Sequence, residues 1–342
     1  MVSEQDILKR VPELLAELAA LQPEVELTRD DGADLVIRLG DHLLVVEAKS
    51  NSQAGAVSDA AVRAARAAEE LGEKAIGVVA VPFMGELGQR ICREAGVGFI
   101  DLSGNVHIKA PPLLIHVEGR PNRFVPRGRP SSVFAPKSSR IARLMLLDPA
   151  RWWMQQELAE TGDLGAGYVS RICKRLESER FIVRNAERAV RPRDANLLLD
   201  AWSARYEFAA HKVIRGHISA RSGEELASQV SAVLEDSNHR YAMTGLAAAW
   251  QFAPFAKYRL VSVYFDSLPT DDLLEELKCR REERGANLWL LRPNDSGVFQ
   301  GGERINGMSC VSAAQVYLDL GAMPERSEEA AEHLRNERLQ WR

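Results

Sequence analysis

The chain has 342 residues, 46% of them hydrophobic and 27% charged, with 44 Lys and Arg against 48 Asp and Glu and a net charge of −4. That size holds two or three domains with real cores and excludes a fibrous or dominantly disordered chain. A charge of this sign spread evenly would repel nucleic acid, so any such contact has to come from local basic patches. Cys92, Cys173, Cys279 and Cys310 lie far apart without Cys-x-x-Cys spacing, which gives no sign of a disulfide framework or a zinc site. No apolar run approaches the length needed to cross a bilayer, and acids precede any apolar run at the N-terminus, so a cytoplasmic protein with no membrane contact is expected.

The spacing of Ile7, Leu8, Val11, Leu14, Leu15 and Leu18 predicts an amphipathic helix over Ser3 to Leu21. Leu35-Val36-Ile37 and Leu43-Leu44-Val45-Val46 read as two strands joined by a tight turn at Gly40-Asp41, and alternation puts Glu47 and Lys49 on one face. Ala54 to Leu71 is Ala-rich and helical, Ala75 to Val81 an apolar strand, Glu86 to Ala95 a helix and Val97 to Leu102 a short strand. Asp34, Glu47 and Lys49 are then aimed at one point. Two carboxylates can hold a hard divalent cation, and a neighbouring lysine can orient or deprotonate water and steady charge on a phosphate.

These residues resemble the PD-(D/E)XK nuclease superfamily, in which an acid opens the second core strand and acid-x-Lys follows on the third. The resemblance places Asp34 in the first position and Glu47 and Lys49 in the second, and implies Mg2+ or Mn2+ held by Asp34 and Glu47. Some members add a carboxylate from the first helix, which makes Glu13 or Glu17 an extra candidate beside the simpler reading of a solvated helix face. Gln53 is a weaker candidate for a substrate contact. The plain alternative for the whole set is a surface hairpin carrying an ion pair.

Residues 119–137 read as a basic Pro/Gly/Arg linker. From Gly119 to Arg140 the chain carries Arg120, Arg123, Arg127, Arg129, Lys137 and Arg140 and no acid, which suits either a phosphate backbone or a hydrated connector. Beyond it, Ser138 to Leu147 is helical. A second helix carries Leu158 and Ala159, a glycine turn follows, and a third helix buries Val169, Ile172 and Leu176: a helix-turn-helix with Phe181 to Val190 as its wing. Gly167-Tyr-Val-Ser-Arg-Ile-Cys-Lys-Arg-Leu-Glu177 strongly resembles the recognition helix of bacterial winged-helix regulators. Tyr168, Ser170, Arg171, Lys174 and Arg175 would meet double-stranded DNA, joined by Arg127 and Arg129 of the linker. Trp152 and Trp153 read as packing groups.

The last part predicts helices over Leu197 to Phe208, Gly223 to Leu234, Ser312 to Leu320 and Glu328 to Leu339. Strands are expected over Lys212 to Ser219, Arg240 to Thr244, Tyr258 to Phe265 and Ala286 to Leu291. A strand ending in Thr244-Gly245 before the small-residue helix Leu246-Ala-Ala-Ala-Trp250 resembles the phosphate-side entry of the nucleotidyltransferase fold. The following strand lacks that fold's paired aspartates, leaving Asp266 alone, so a degenerate copy is expected. Together with the runs Ser132 to Arg140, Thr244 to Ala249 and Ser312 to Asp319, the arrangement resembles the AbiEi-type antitoxin family of bacterial transcriptional regulators over roughly residues 130–342. That resemblance implies promoter binding, autorepression and a cognate toxin partner.

The expected architecture is an α/β multidomain chain. Residues 1–118 form a PD-(D/E)XK nuclease-like domain, 138–192 a winged helix-turn-helix, and 193–342 a degenerate nucleotidyltransferase-like α/β domain. The leading functional expectation is a DNA-binding, Mg2+- or Mn2+-dependent endonuclease with Asp34, Glu47 and Lys49 catalytic. The alternative is an AbiEi-like repressor or antitoxin that binds promoter DNA without cutting it. A homodimer suits either reading, although no heptad or apolar stripe establishes one.

Overall fold

The computed structural model describes residues 2–19, 22–27, 33–124, 132–235, 239–267 and 269–341. The chain divides into two compact units, Met1–Pro130 and Ser131–Arg342. Among the described residues no helix is long and apolar enough to cross a membrane.

The first unit runs α1 (Glu4–Leu18), β1 (Glu24–Leu27), β2 (Leu35–Leu39), β3 (His42–Ala48), α2 (Ala54–Leu71), β4 (Ala75–Val81), α3 (Glu86–Glu94), β5 (Gly98–Asp101), β6 (Val106–Ala110) and β7 (Leu113–Val117). Its described strands form one sheet in sequence order, β1 to β7. The β2–β3 pair is antiparallel, while β3–β4 and β4–β5 are parallel, as crossover helices require. Ser3 caps α1 through a capping box with Asp6. Ile7, Val11, Leu14 and Leu15 of α1 pack with Leu35, Ile37, Leu44, Val46, Val78 and Ile100 on one sheet face. Against the other face, Val57, Ala60, Ala61 and Ala64 of α2 pack on Val79, Val81 and Phe99. The alanines of α2 permit a close approach: a Cβ on Gly77 of β4 would stand 2.7 Å from the Ala64 backbone.

The hairpin β6–β7 is not among the strands expected from sequence, because its alternating polar residues and Pro111-Pro112 turn give a weak strand signal. Both ends of the basic segment are held by the described residues that flank it. Arg120 exchanges hydrogen bonds with the Asn105 side chain, the backbone N–H donating at 2.8 Å and the carbonyl accepting at 3.2 Å, which fastens the chain to the first unit. Val133 and Phe134 are already buried in the second. Arg140 has a counter-charge after all. It is buried and makes a two-pronged ion pair with Asp295, 2.7 and 2.9 Å, because the helix that follows the segment packs against the C-terminal domain.

The second unit opens with α4 (Ser139–Leu147), α5 (Gln155–Gly162), α6 (Ala166–Ser178), β8 (Ile182–Arg184), β9 (Val190–Pro192) and α7 (Ala195–Ser203). Strands β8 and β9 form an antiparallel hairpin, and Trp153 bridges to Val190. The turn between α5 and α6 takes its left-handed residue from Asp163 (φ 50°), not from a glycine. Gly162 is required for space, since its Cβ would crowd Leu164 at 3.2 Å. Then follow β10 (Lys212–His217), α8 (Gly223–Glu235), β11 (Tyr241–Thr244), α9 (Gly245–Phe252), β12 (Val261–Phe265), α10 (Asp271–Glu276), β13 (Arg280–Arg281), β14 (Leu288–Arg292), β15 (Glu303–Ile305), β16 (Met308–Cys310), α11 (Ala313–Leu320) and α12 (Ser327–Arg338). Their sheet has the order β13-β10-β14-β12-β11-β16-β15.

Candidate functional sites

Strand register brings the predicted acidic set together. Leu35 pairs with Val46, so Asp34 and Glu47 stand one step further along at the same end of β2 and β3. Lys49 follows β3 and is tied to β4 by its backbone N–H, which donates to the Ala80 carbonyl. The Lys49 ammonium lies 3.6 Å from Glu47 Oε2, 3.7 Å from Asp34 Oδ2 and 3.9 Å from Glu4 Oε1, and donates to the Ala48 carbonyl at 2.6 Å. Its side chain is only 13% exposed.

Glu47 is buried, and its Oε2 accepts a hydrogen bond from Arg63 Nε of α2 at 2.9 Å, with Arg63 Nη2 in ion-pair contact at 2.9 Å. Asp34 Oδ2 accepts from the Ala48 N–H at 2.9 Å. Three carboxylates therefore face two cations, leaving one net negative charge to attract a metal. Among the described residues no hydrogen bond reaches Glu47 Oε1 or Asp34 Oδ1, so these are the two oxygens that could hold a hard divalent ion. Glu13 and Glu17 do not join the set. Both are exposed and paired with Arg10, at 2.5 and 2.8 Å; the first helix sends Glu4 instead. The Gln53 backbone starts α2, and its side chain makes no cap.

On α6 the burial of Val169, Ile172, Cys173 and Leu176 turns Arg171 and Lys174 outward to solvent. The Tyr168 ring lies 5.1 Å from the Arg171 guanidinium and 6.0 Å from the Lys137 ammonium. Tyr168 and Ser170 are half-buried, and Arg175 bends toward Glu179, 3.6 Å away. Arg184 of β8 is held by Glu177. Arg127 and Arg129 lie outside the described residues.

A third cluster was not foreseen from sequence. Asp319 of α11 is fully buried, and its carboxylate accepts hydrogen bonds from Thr244 (2.5 Å), Tyr206 (2.5 Å), Gln315 (2.8 Å) and Tyr264 (3.0 Å). Gln315 accepts from the buried Arg143 of α4 at 2.5 Å. His211 Nδ1 accepts from the Asn294 N–H at 3.1 Å, which leaves Nε2 to donate to Tyr206 at 2.8 Å. Burial lifts the Asp319 carboxyl to about 6 despite its four donors, and burial with the charge of Arg143 lowers His211 to about 4. The available signal was a polar pair, Gln315 and Asp319, one turn apart on an otherwise apolar helix.

This cluster fills the place expected to face phosphate. Thr244 spends its hydroxyl on Asp319, and the Met323 sulfur lies where a Cβ on Gly245 (φ 60°) would stand. Asp266 is exposed, with Ser267 donating to it at 3.3 Å.

Residues 191–340 match the family model described as a transcriptional regulator, AbiEi antitoxin, of the type IV toxin–antitoxin system. The match begins within β9, so α4 to α6 precede it, and so does the whole first unit. No curated protein and no solved structure matches the chain.

Proposed function

We propose that the chain is a DNA-binding transcriptional regulator of the antitoxin kind that holds duplex DNA through α6. The carrying observation is continuity: the segment matching the AbiEi antitoxin model lies in the same compact unit as a helix-turn-helix that turns Arg171 and Lys174 to solvent. The ion pair of Arg140 with Asp295 and the bond from Arg143 to Gln315 fix α4 to the matched domain, so the reading helix has a rigid base. Arg171 and Lys174 contact phosphates, while Tyr168, Ser170 and Arg175 stand close enough to reach base edges or sugar. A homodimer on paired half-sites and a cognate toxin belong to the same proposal.

The test is titration of the protein with the DNA upstream of its own gene at several salt concentrations. Replacing Arg171 and Lys174 by Ala lowers affinity and reduces the salt slope by about two units, one for each phosphate that is no longer neutralised. An unchanged slope places the DNA contact elsewhere.

One observation favours a second reading, metal-dependent phosphodiester cleavage by the first unit: Lys49 stands within 3.7 Å of both Asp34 and Glu47. Asp34 and Glu47 would hold Mg2+ or Mn2+, which would supply Lewis acidity and a lowered water pKa. Lys49 would orient the attacking water, and Arg63 would hold the Glu47 carboxylate in place. Nicking of plasmid DNA that needs Mn2+ and disappears in Glu47→Ala and Lys49→Ala supports it. Repression that survives both changes, with no cleavage in the unaltered protein, leaves the regulator alone.

A further inference from the structure

The hairpin β6–β7 places His107 directly opposite His116, and alternation puts Glu118 on the same face two residues beyond. The two Nδ1 atoms are 3.0 Å apart, and Glu118 Oε1 lies 4.0 Å from His116 Nδ1. All three ligand atoms fall within 4.8 Å of one another, the one such group of three among the described residues. From this geometry we propose a binding site for a borderline divalent transition ion, Zn2+, Ni2+, Co2+ or Cu2+, held by His107, His116 and Glu118.

Two imidazole nitrogens bound to one ion at about 2.0–2.1 Å, with an angle between square and tetrahedral, stand about 2.9–3.4 Å apart. The observed 3.0 Å already meets that separation, and capture requires only that the rings turn until both lone pairs point at the ion. One proton now lies between the two nitrogens. Metal capture requires both lone pairs, and that proton transfers to Nε2 of the same ring, leaving the imidazole neutral. Glu118 closes the remaining gap by a side-chain shift of roughly 1 Å. Two nitrogens with one carboxylate select a borderline ion over Mg2+, which takes oxygen ligands and keeps its water.

The surroundings leave the site accessible but place two cations, Arg93 and Lys109, at its approach. Phe99 lies beside the His107 ring, centroids 6.0 Å apart. A hollow lined by Arg93, Gly96, Gly98, His107 and Lys109 gives an open approach. Arg93 competes for Glu118 at 3.4 Å. None of its three residues belongs to the Asp34 and Glu47 set or to α6, so it stands whether or not the DNA-binding reading holds.

Co2+ titration of the full chain, followed by visible absorption, with thermal melting in Zn2+ and then in EDTA, tests the site. One tight equivalent binds and raises the melting temperature, with any weaker binding at Asp34 and Glu47 removed in Glu47→Gln. His107→Ala and His116→Ala each weaken affinity at least tenfold, Glu118→Gln several-fold, and Arg93→Ala tightens it by releasing Glu118. Glu47→Gln leaves it unchanged, which separates this site from the carboxylate pair near Lys49. Absence of binding at millimolar Co2+, or undiminished binding in a folded His116→Ala protein, overturns the proposal.

Discussion

Asp319 and His211 sit on one hydrogen-bonded chain yet load the stability of the second unit in opposite directions. Asp319 is raised from 3.8 to about 6 on folding, so between those values the unfolded chain holds fewer protons and stability falls as pH rises. His211 drops from 6.5 to about 4, so there the unfolded chain holds more protons and stability rises with pH. Each slope is at most about 1.4 kcal/mol per pH unit, and over the shared window they oppose. Asp319→Asn therefore leaves the His211 slope exposed: relative to the unaltered protein, stability falls further as the pH is lowered from about 6.5 to about 4. His211→Gln leaves the Asp319 slope, and stability rises on acidification. Urea unfolding across that range reads both, and parallel profiles for the variants and the parent would contradict the assignment.

At the scale of elements, α2 against β4 shows how alanine spacing becomes geometry. Ala60, Ala61, Ala64, Ala67 and Ala68 make a low, buried stripe that lets the helix backbone approach the sheet, and Gly77 is the strand position beneath it. A methyl group there meets backbone, which cannot turn aside. Gly77→Ala is expected to cost about 1–3 kcal/mol in the first unit, measured by denaturant unfolding. A change below about 0.5 kcal/mol, the usual range for exposed substitutions, would show that the packing there is loose. The same element-level logic explains Glu47: α2 supplies Arg63 to its carboxylate, a partner invisible in the strand sequence because it arrives from sixteen residues downstream.

At the scale of the whole molecule, two units each carry their own core, and the four chemical features are divided between them. The carboxylate–lysine site and the histidine pair belong to the first unit, and α6 with the Asp319 cluster to the second. Gly77→Ala should then lower the unfolding transition of the first unit while salt-dependent DNA binding stays as in the parent. Loss of binding in that variant would mean that duplex recognition draws on both units. The match to the AbiEi antitoxin model bears on the second unit alone. It moves the balance from the nuclease toward the regulator that the sequence resemblance also implied.

What the sequence by itself determined was local. Apolar spacing of 3.6 and 2 placed α1 to α3, β2 to β5 and the helices α4 to α6, and strand alternation was enough to bring Asp34, Glu47 and Lys49 to one end of one sheet face. Tertiary structure decided which charges are answered and which are open. Arg140 finds Asp295, Glu47 finds Arg63, and Asp319 gathers donors from four separate segments, while Arg171 and Lys174 stay at the surface. The physical reason is range. Periodicity is set by neighbours a few residues apart, whereas desolvation and ion pairing depend on groups brought together across as many as 155 positions of chain.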